Sequence, residues 1–254
     1  MGYKVHLTET CDADAPHLIV EVLATPAPRP DNNIMAEIHE SLSKKDLLPS
    51  EHMADAGYVD AGQIIESREK HGVELVGPVP ADTSRQARAG EGFSVSEFKI
   101  DWDRHVAECP EGKESACWSE GTNERGEAVV QIRFGRDVCQ ACKSGPKCKN
   151  GKNGRSLKLR KRAEHETLQT ARKYQETPDF KERYNIRAGV EGTVAQATGP
   201  MGMRQTRYFG LRKTTLQTIG TAVAINLKRA VDWFTGKSPA KTRVSALAFL
   251  PRAA

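Results

Sequence analysis

The stretch YNIRAGVEGT, Tyr184–Thr193, sets a tyrosine, an arginine and a glutamate at offsets of zero, three and seven. On an ideal α-helix these three side chains project within about 60° of one another. One helix would then present a phenol (Tyr184), a guanidinium (Arg187) and a carboxylate (Glu191) on a single face. A glutamate so placed can share a divalent cation with an aspartate at a strand end, because hard Mg2+ prefers a few carboxylates plus phosphate oxygens. The spacing suits an ordinary surface ion pair between Arg187 and Glu191 equally well, and spacing alone leaves both readings open.

Working outward, the candidate partner of Glu191 is Asp55 in EHMADAGY, where an apolar lead-in reads as a short buried strand ending at the aspartate. Open α/β sheets bind ligands just past the carboxyl ends of their strands. Around it the first half of the chain alternates strand and helix patterns. Tyr3–Thr10 and His17–Thr25 read as an antiparallel hairpin whose turn holds Asp12 and Asp14, and PAPRPD then breaks the chain. Asp31 is an N-cap candidate for a helix with Ile34, Ile38 and Leu42 on one face, running to about residue 45. A second helix is expected over Val59–His71 and a further strand over Val73–Val79. Between residues 81 and 166 the periodicity gives way to Gly, Ser and charged residues, which reads as an insertion too polar to fold by itself. Helical signal resumes near Leu168, and a last helix starts near Leu211, where Leu216, Ile219, Val223, Leu227, Ala230 and Phe234 repeat every 3.6 residues as an expected core stripe. Residues 238–254 are weakly patterned and expected to fray.

Composition narrows the chemistry. A chain of 254 residues with 38% hydrophobic content can bury a substantial core, and no run of eighteen apolar residues or signal-peptide pattern occurs. That predicts a cytoplasmic protein with no membrane partner. Six cysteines without an export signal favour metal ligation over disulfides. Cys139, Cys142 and Cys148 form a knuckle-like cluster, and Cys109 in ECPEG can supply a fourth thiolate of a tetrahedral structural Zn2+ site. The net charge is +5, but Lys143–Lys173 holds eleven Lys or Arg against two acidic residues. A polyanion is the partner such a run suits, and a solvated loop is the alternative.

YNIRAGVE resembles the tyrosine, arginine, glutamate signature of DDE transposases from bacterial insertion sequences. GYKVHLTET, ADAGYVDA, YNIRAGVEGTVAQ, RYFGLRKTTLQ and TAVAINLKRAVDW are similar to segments of that family, in the family's order. The resemblance implies an α/β, ribonuclease-H-like mixed sheet with flanking helices. In it Asp55 and Glu191 hold Mg2+ or Mn2+, while Tyr184 and Arg187 position DNA near the cut strand. The domain would comprise residues 1–80 and 167–237, interrupted by the cysteine-containing basic insertion at 81–166 and followed by a flexible tail at 238–254. The family's first strand, which carries its first catalytic aspartate, has no match here, so a carboxyl-terminal part lacking one metal ligand is expected. The lysine expected seven residues past the glutamate is Thr198 instead, which leaves Arg204 and Arg207 as substitutes.

The function implied is binding of double-stranded DNA at insertion-sequence ends and target, with metal-dependent phosphodiester cleavage and strand transfer near the bacterial nucleoid. Arg160, Lys161, Arg162, Arg204 and Arg207 are the expected DNA contacts, and a homodimer or a full-length transposase is an expected partner. The alternative is a catalytically inactive DNA-binding fragment that modulates a full-length relative.

Overall fold

The structure, a computed structural model, describes residues 2–124, 126–149 and 151–237; the expected tail at 238–254 lies outside the described residues. The fold is mixed α/β, and its described residues form two compact units, one from Met1–Arg29 with Arg187–Ala254 and one from Pro30–Ile186.

In the first unit, strands β1 (Tyr3–Glu9) and β2 (Ile19–Pro26) form the expected antiparallel hairpin, with a register shift between Thr8 and Glu9. Helices α8 (Ala188–Thr198) and α9 (Leu211–Phe234) complete the unit. Its core joins Ile19 to Ala197, Ala222 and Ile225, with Leu7, Val22 and Met203 packed against them. Asn226 of α9 grips the start of β2, accepting from the Ile19 N–H and donating to the Ile19 carbonyl, both at 2.8 Å.

The buried side of α9 is not the stripe its hydrophobic rhythm predicts. Thr214, Thr218, Ala222 and Ile225 are buried, whereas Leu216 is 71% and Leu227 64% exposed. The threonine hydroxyls donate back to helix carbonyls, Thr214 to Gly210 at 3.1 Å and Thr218 to Thr215 at 2.9 Å, so burying them leaves no donor unmade. Small residues of this kind let a helix approach a hairpin closely.

The second unit opens with a 3-10 turn, Asp31–Ile34, leading into α1 (Met35–Lys44). Asp31 is the first residue of that turn and makes no cap, because Pro30 occupies the N-cap position. Strand β3 (Glu51–Met53) then runs parallel to β4 (Glu74–Val76), with α2 (Ala61–His71) connecting them. The ends of α2 follow from its sequence. Asp60 accepts from the Gln63 N–H at 2.9 Å, and Gly72 takes the left-handed conformation (φ 67°) that closes the helix. Met35, Ala54, Val59, Leu75 and Val79 form the core here, reached by Leu168 and Ala171 of helix α6 (Arg162–Gln175).

Residues 81–166 contain a core of their own, contrary to the expectation that this stretch is too polar to fold. After α3 (Arg85–Ala89), strands β5 (Lys99–Asp101) and β6 (Val106–Glu108) form a hairpin. Strands β7 (Cys117–Thr122), β8 (Ala128–Arg133) and β9 (Ser156–Arg160) form an antiparallel sheet in the order β7-β8-β9. Phe98, Ala107, Val130, Ile132, Phe134, Leu157 and Leu159 pack together beneath it. Short strands with every second residue apolar carry little helical periodicity, which is why this core is hard to see in the composition. Two short helices, α4 (Arg136–Gln140) and α5 (Gly145–Cys148), lie between β8 and β9, and α7 (Pro178–Asn185) follows α6.

Candidate active site

Asp55 stands two residues past β3, at the carboxyl end of the parallel pair, and is exposed. The Ala54 N–H donates to the Val76 carbonyl at 2.8 Å and carries the strand pairing up to that point. Gly77 permits this close approach: a Cβ there would lie 2.3 Å from the Ala54 oxygen and 2.8 Å from Val59 Cγ2. The Asp55 carbonyl accepts from the Tyr58 N–H at 2.8 Å, forming a tight turn. Burial, and then the Asp31 and Asp55 carboxylates, push the Tyr58 phenol up to about 12. Asp31 and Asp55 therefore act on the same phenol.

Tyr184 reaches Asp55 from α7, its hydroxyl 3.5 Å from Asp55 Oδ1. Its ring stacks on buried Phe180, centroids 5.4 Å apart, and Phe180 in turn meets Tyr174 edge-on. The neighbouring Arg183 locks α7 to both strands. It contacts Glu51 of β3 (Nε to Oε1 2.9 Å), Glu74 of β4 (Nη2 to Oε2 2.9 Å) and the Tyr174 hydroxyl (3.1 Å), and these bonds raise its pKa further. Glu51 and Glu74 face one another across the pair, where two like charges would repel without a shared cation.

The opening motif does not lie on one helix. Tyr184 belongs to the end of α7, Ile186 and Arg187 form a turn, and Glu191 is in α8. Backbone dihedrals stay right-handed helical through Ile186 and Arg187, but the bonds there tighten to three-residue spacing, Ile186 N–H to Arg183 O and Val190 N–H to Arg187 O. Arg187 Nη1 lies 3.4 Å from Glu191 Oε1, with side chains 14% and 72% exposed respectively. The contact is long and its Glu191 end open to solvent, whereas the Arg187 end is largely covered. Helix α8 is fixed to the hairpin two residues further on. There the Thr193 hydroxyl donates to Glu9, and Arg229 of α9 bonds to Glu9 Oε2 at 2.9 Å and to the His17 carbonyl at 2.7 Å. Asp55 and Tyr184 belong to the Pro30–Ile186 unit, Arg187 and Glu191 to the other.

Thr198 ends α8 with its hydroxyl donating to the Val194 carbonyl at 2.7 Å, and Arg204 and Arg207 are exposed between α8 and α9. Asp12 and Asp14 are exposed in the β1–β2 connection. The basic run is not bare positive charge. Arg160 pairs with Glu164, and Arg162 with both Glu166 and Asp103, each at 3.0 Å, while Lys161 is exposed at the start of α6.

Cys109, Cys139, Cys142 and Cys148 line a single cavity beside Phe98, Phe134 and Arg155. The Arg155 N–H donates to Cys139 Sγ at 3.4 Å, and Gly145 has no room for a Cβ, which would lie 2.3 Å from the Cys139 oxygen. Burial pushes the Cys148 thiol up, and Arg155 opposes that shift. No three His, Cys, Asp or Glu side chains among the described residues are grouped so as to hold a metal ion.

Arg183, Glu9 and Arg229 escape sequence reading. Their carboxylate and guanidinium partners lie between 109 and 220 residues away, and no periodicity relates such positions.

An exposed carboxylate thus stands at the carboxyl end of a parallel strand pair, the end at which open α/β sheets bind ligands. Residues 108–231, just under half the chain, match the family model described as "Transposase DDE domain". That region is similar to the DDE transposase domain, and it contains Tyr184, Arg187, Glu191 and the four cavity cysteines, while Asp55 lies outside it. No curated protein and no solved structure matches the chain. Among the described residues no helix is long and apolar enough to cross a membrane.

Proposed function

We propose that the chain acts in DNA transposition, binding duplex DNA at element ends and supporting divalent-metal-dependent phosphodiester cleavage and strand transfer. The family match over 108–231 carries this reading. Asp55 and Glu191 are the proposed metal-holding carboxylates. Both are exposed and offer hard oxygen donors, which fit Mg2+ or Mn2+. Bound there, the cation would supply charge neutralisation at the attacked phosphodiester. Tyr184 orients the Asp55 carboxylate from α7, and Arg187 stands beside Glu191, where it can exchange the carboxylate for a DNA phosphate. Arg160, Lys161, Arg162, Arg204 and Arg207 contribute backbone contacts. The Arg160 and Arg162 ion pairs are surface pairs of little net worth, which a phosphate can displace. The hairpin and the parallel pair are the strand pairs that a ribonuclease-H-like sheet contains, and we read them so.

The test incubates purified chain with Mg2+ or Mn2+ and a donor DNA carrying the element's ends, alongside Asp55→Asn and Glu191→Gln. Metal-dependent nicking by the parent, lost by at least a hundredfold in both variants with DNA binding retained, is the expected outcome. Strand transfer is expected to need an aspartate beside Asp55 and Glu191, because the resemblance implies a third metal-holding carboxylate. Robust transfer by the chain would make Asp12, Asp14 and Asp31 the first aspartates to replace. DNA binding with no nicking at all would establish the alternative, an inactive fragment that occupies the ends.

A further inference from the structure

The buried side chains of the three-stranded sheet fix which way its other residues point. Val130, Ile132, Leu157 and Leu159 turn into the core, so the alternate positions of β8 and β9 face outward. Trp118 sits opposite Ile132 and packs on the same core, which places Ser119 and Gly121 of β7 outward as well. The outer face is thus Cys117, Ser119 and Gly121 on β7, Val129, Gln131 and Arg133 on β8, and Ser156, Lys158 and Arg160 on β9. Arg133, Lys158 and Arg160 are exposed, and no outward position on the three strands is a carboxylate. Gln131 holds Arg133 in place, accepting from its Nη2 at 3.0 Å, and Lys158 lies directly across from Gln131 on the next strand.

We infer that this face is a docking surface for the sugar-phosphate backbone of duplex DNA, an inference that rests on the transposase reading above. Charge complementarity selects the partner: Arg133 and Lys158 lie on adjacent strands with no acid on their own face, and Arg160 beside them is held by Glu164 of α6 in a surface pair that a phosphate can displace, a set that suits a regular array of phosphates. Surface texture selects the duplex form. Single strands are gripped by aromatic platforms on which bases stack, and this face has no outward aromatic residue. The serine and glycine of β7 add little height, so a rigid duplex can approach the cations without obstruction. Contacts of this kind position DNA and read no sequence.

The test measures binding of the full chain to a random-sequence duplex across a salt series, for the parent, Arg133→Ala/Lys158→Ala, and a control Lys44→Ala/Lys70→Ala that removes two exposed cations from α1 and α2. The first variant is expected to flatten the slope of log K against log salt by about 1.8, two contacts at about 0.9 each, with the control unchanged. Far-UV circular dichroism and the urea midpoint check folding, and Arg133→Gln/Lys158→Gln replaces the alanine pair if that pair fails to fold. A parent that binds duplex with an unchanged slope in the variant, or an equal change in the control, overturns this face alone. A parent with no salt-dependent duplex binding, or one that binds only anionic phosphatidylserine vesicles, overturns the transposase reading along with it.

Discussion

Arg183 stands between two carboxylates that the parallel register places side by side, Glu51 and Glu74. Replacing it by alanine removes a bidentate partner and leaves two like charges adjacent and half-covered, at a cost of about 1–3 kcal/mol. The expected result for Arg183→Ala is a lower urea midpoint, with nicking lost because Tyr184 is no longer held against Asp55. Arg183→Lys should recover only part, since an ammonium cannot reproduce the planar fork. Adding Glu74→Gln to Arg183→Ala should restore stability, because it removes the repulsion that the arginine masks. A double variant less stable than Arg183→Ala would show that the repulsion is not the dominant cost.

At the scale of elements, the short helices α4 and α5 carry Cys139 and Cys148 with little apolar surface of their own, and the tight turn at Gly145 separates them. Four thiols line one cavity, with an N–H already donating to Cys139 sulfur; no three of them are grouped as they stand to hold a metal ion, and their closure around a structural zinc is a proposal that rests on their donor chemistry. About one zinc per chain is expected by elemental analysis of protein never exposed to chelator. Cys139→Ser/Cys142→Ser should lower that content to near zero and make the segment between β8 and β9 sensitive to protease. Metal-free wild-type protein with an unchanged protease pattern would leave the cysteines as packed thiols. Helix α9 teaches a complementary lesson. Its apolar rhythm is real, yet threonines with internally satisfied hydroxyls form the buried side, so periodicity located the helix and misassigned its face.

For the molecule as a whole, acid stability should be governed by a histidine cluster that links α1, β3 and α2. His39 Nε2 and His52 Nδ1 share a hydrogen bond at 3.1 Å, the His71 ring lies tilted by 59° against His39 with centroids 5.3 Å apart, and His39 Nδ1 has no partner among the described residues. Burial is the main cause that lowers both His39 and His52 from 6.5 to about 4, with the neighbouring histidines also lowering His39. In the folded state they therefore bind fewer protons than in the unfolded state between those two values. Stability should be undiminished above about pH 6.5 and fall as pH drops toward 4, by up to about 1.4 kcal/mol per pH unit for each histidine that stays neutral. Urea midpoints at pH 7.5, 5.5 and 4.5 measure the decline. His39→Leu/His52→Leu should flatten it, and an equally steep profile in that variant would assign the acid sensitivity to other groups.

The sequence by itself determined the local elements and carried the likeness to a family. Alternation fixed the hairpin, caps and glycine fixed α2, apolar rhythm fixed α9, and the tyrosine, arginine and glutamate spacing pointed to the transposase family, because each depends only on residues near in the chain. The tertiary structure alone decided that this motif breaks into two helices, that residues 81–166 contain a core, and that Arg160 and Arg162 are already paired. It also decided that Arg183, rather than helical spacing, holds Tyr184 beside Asp55. Those outcomes depend on partners brought together by burial and strand register from distant parts of the chain, a kind of information that no local pattern carries.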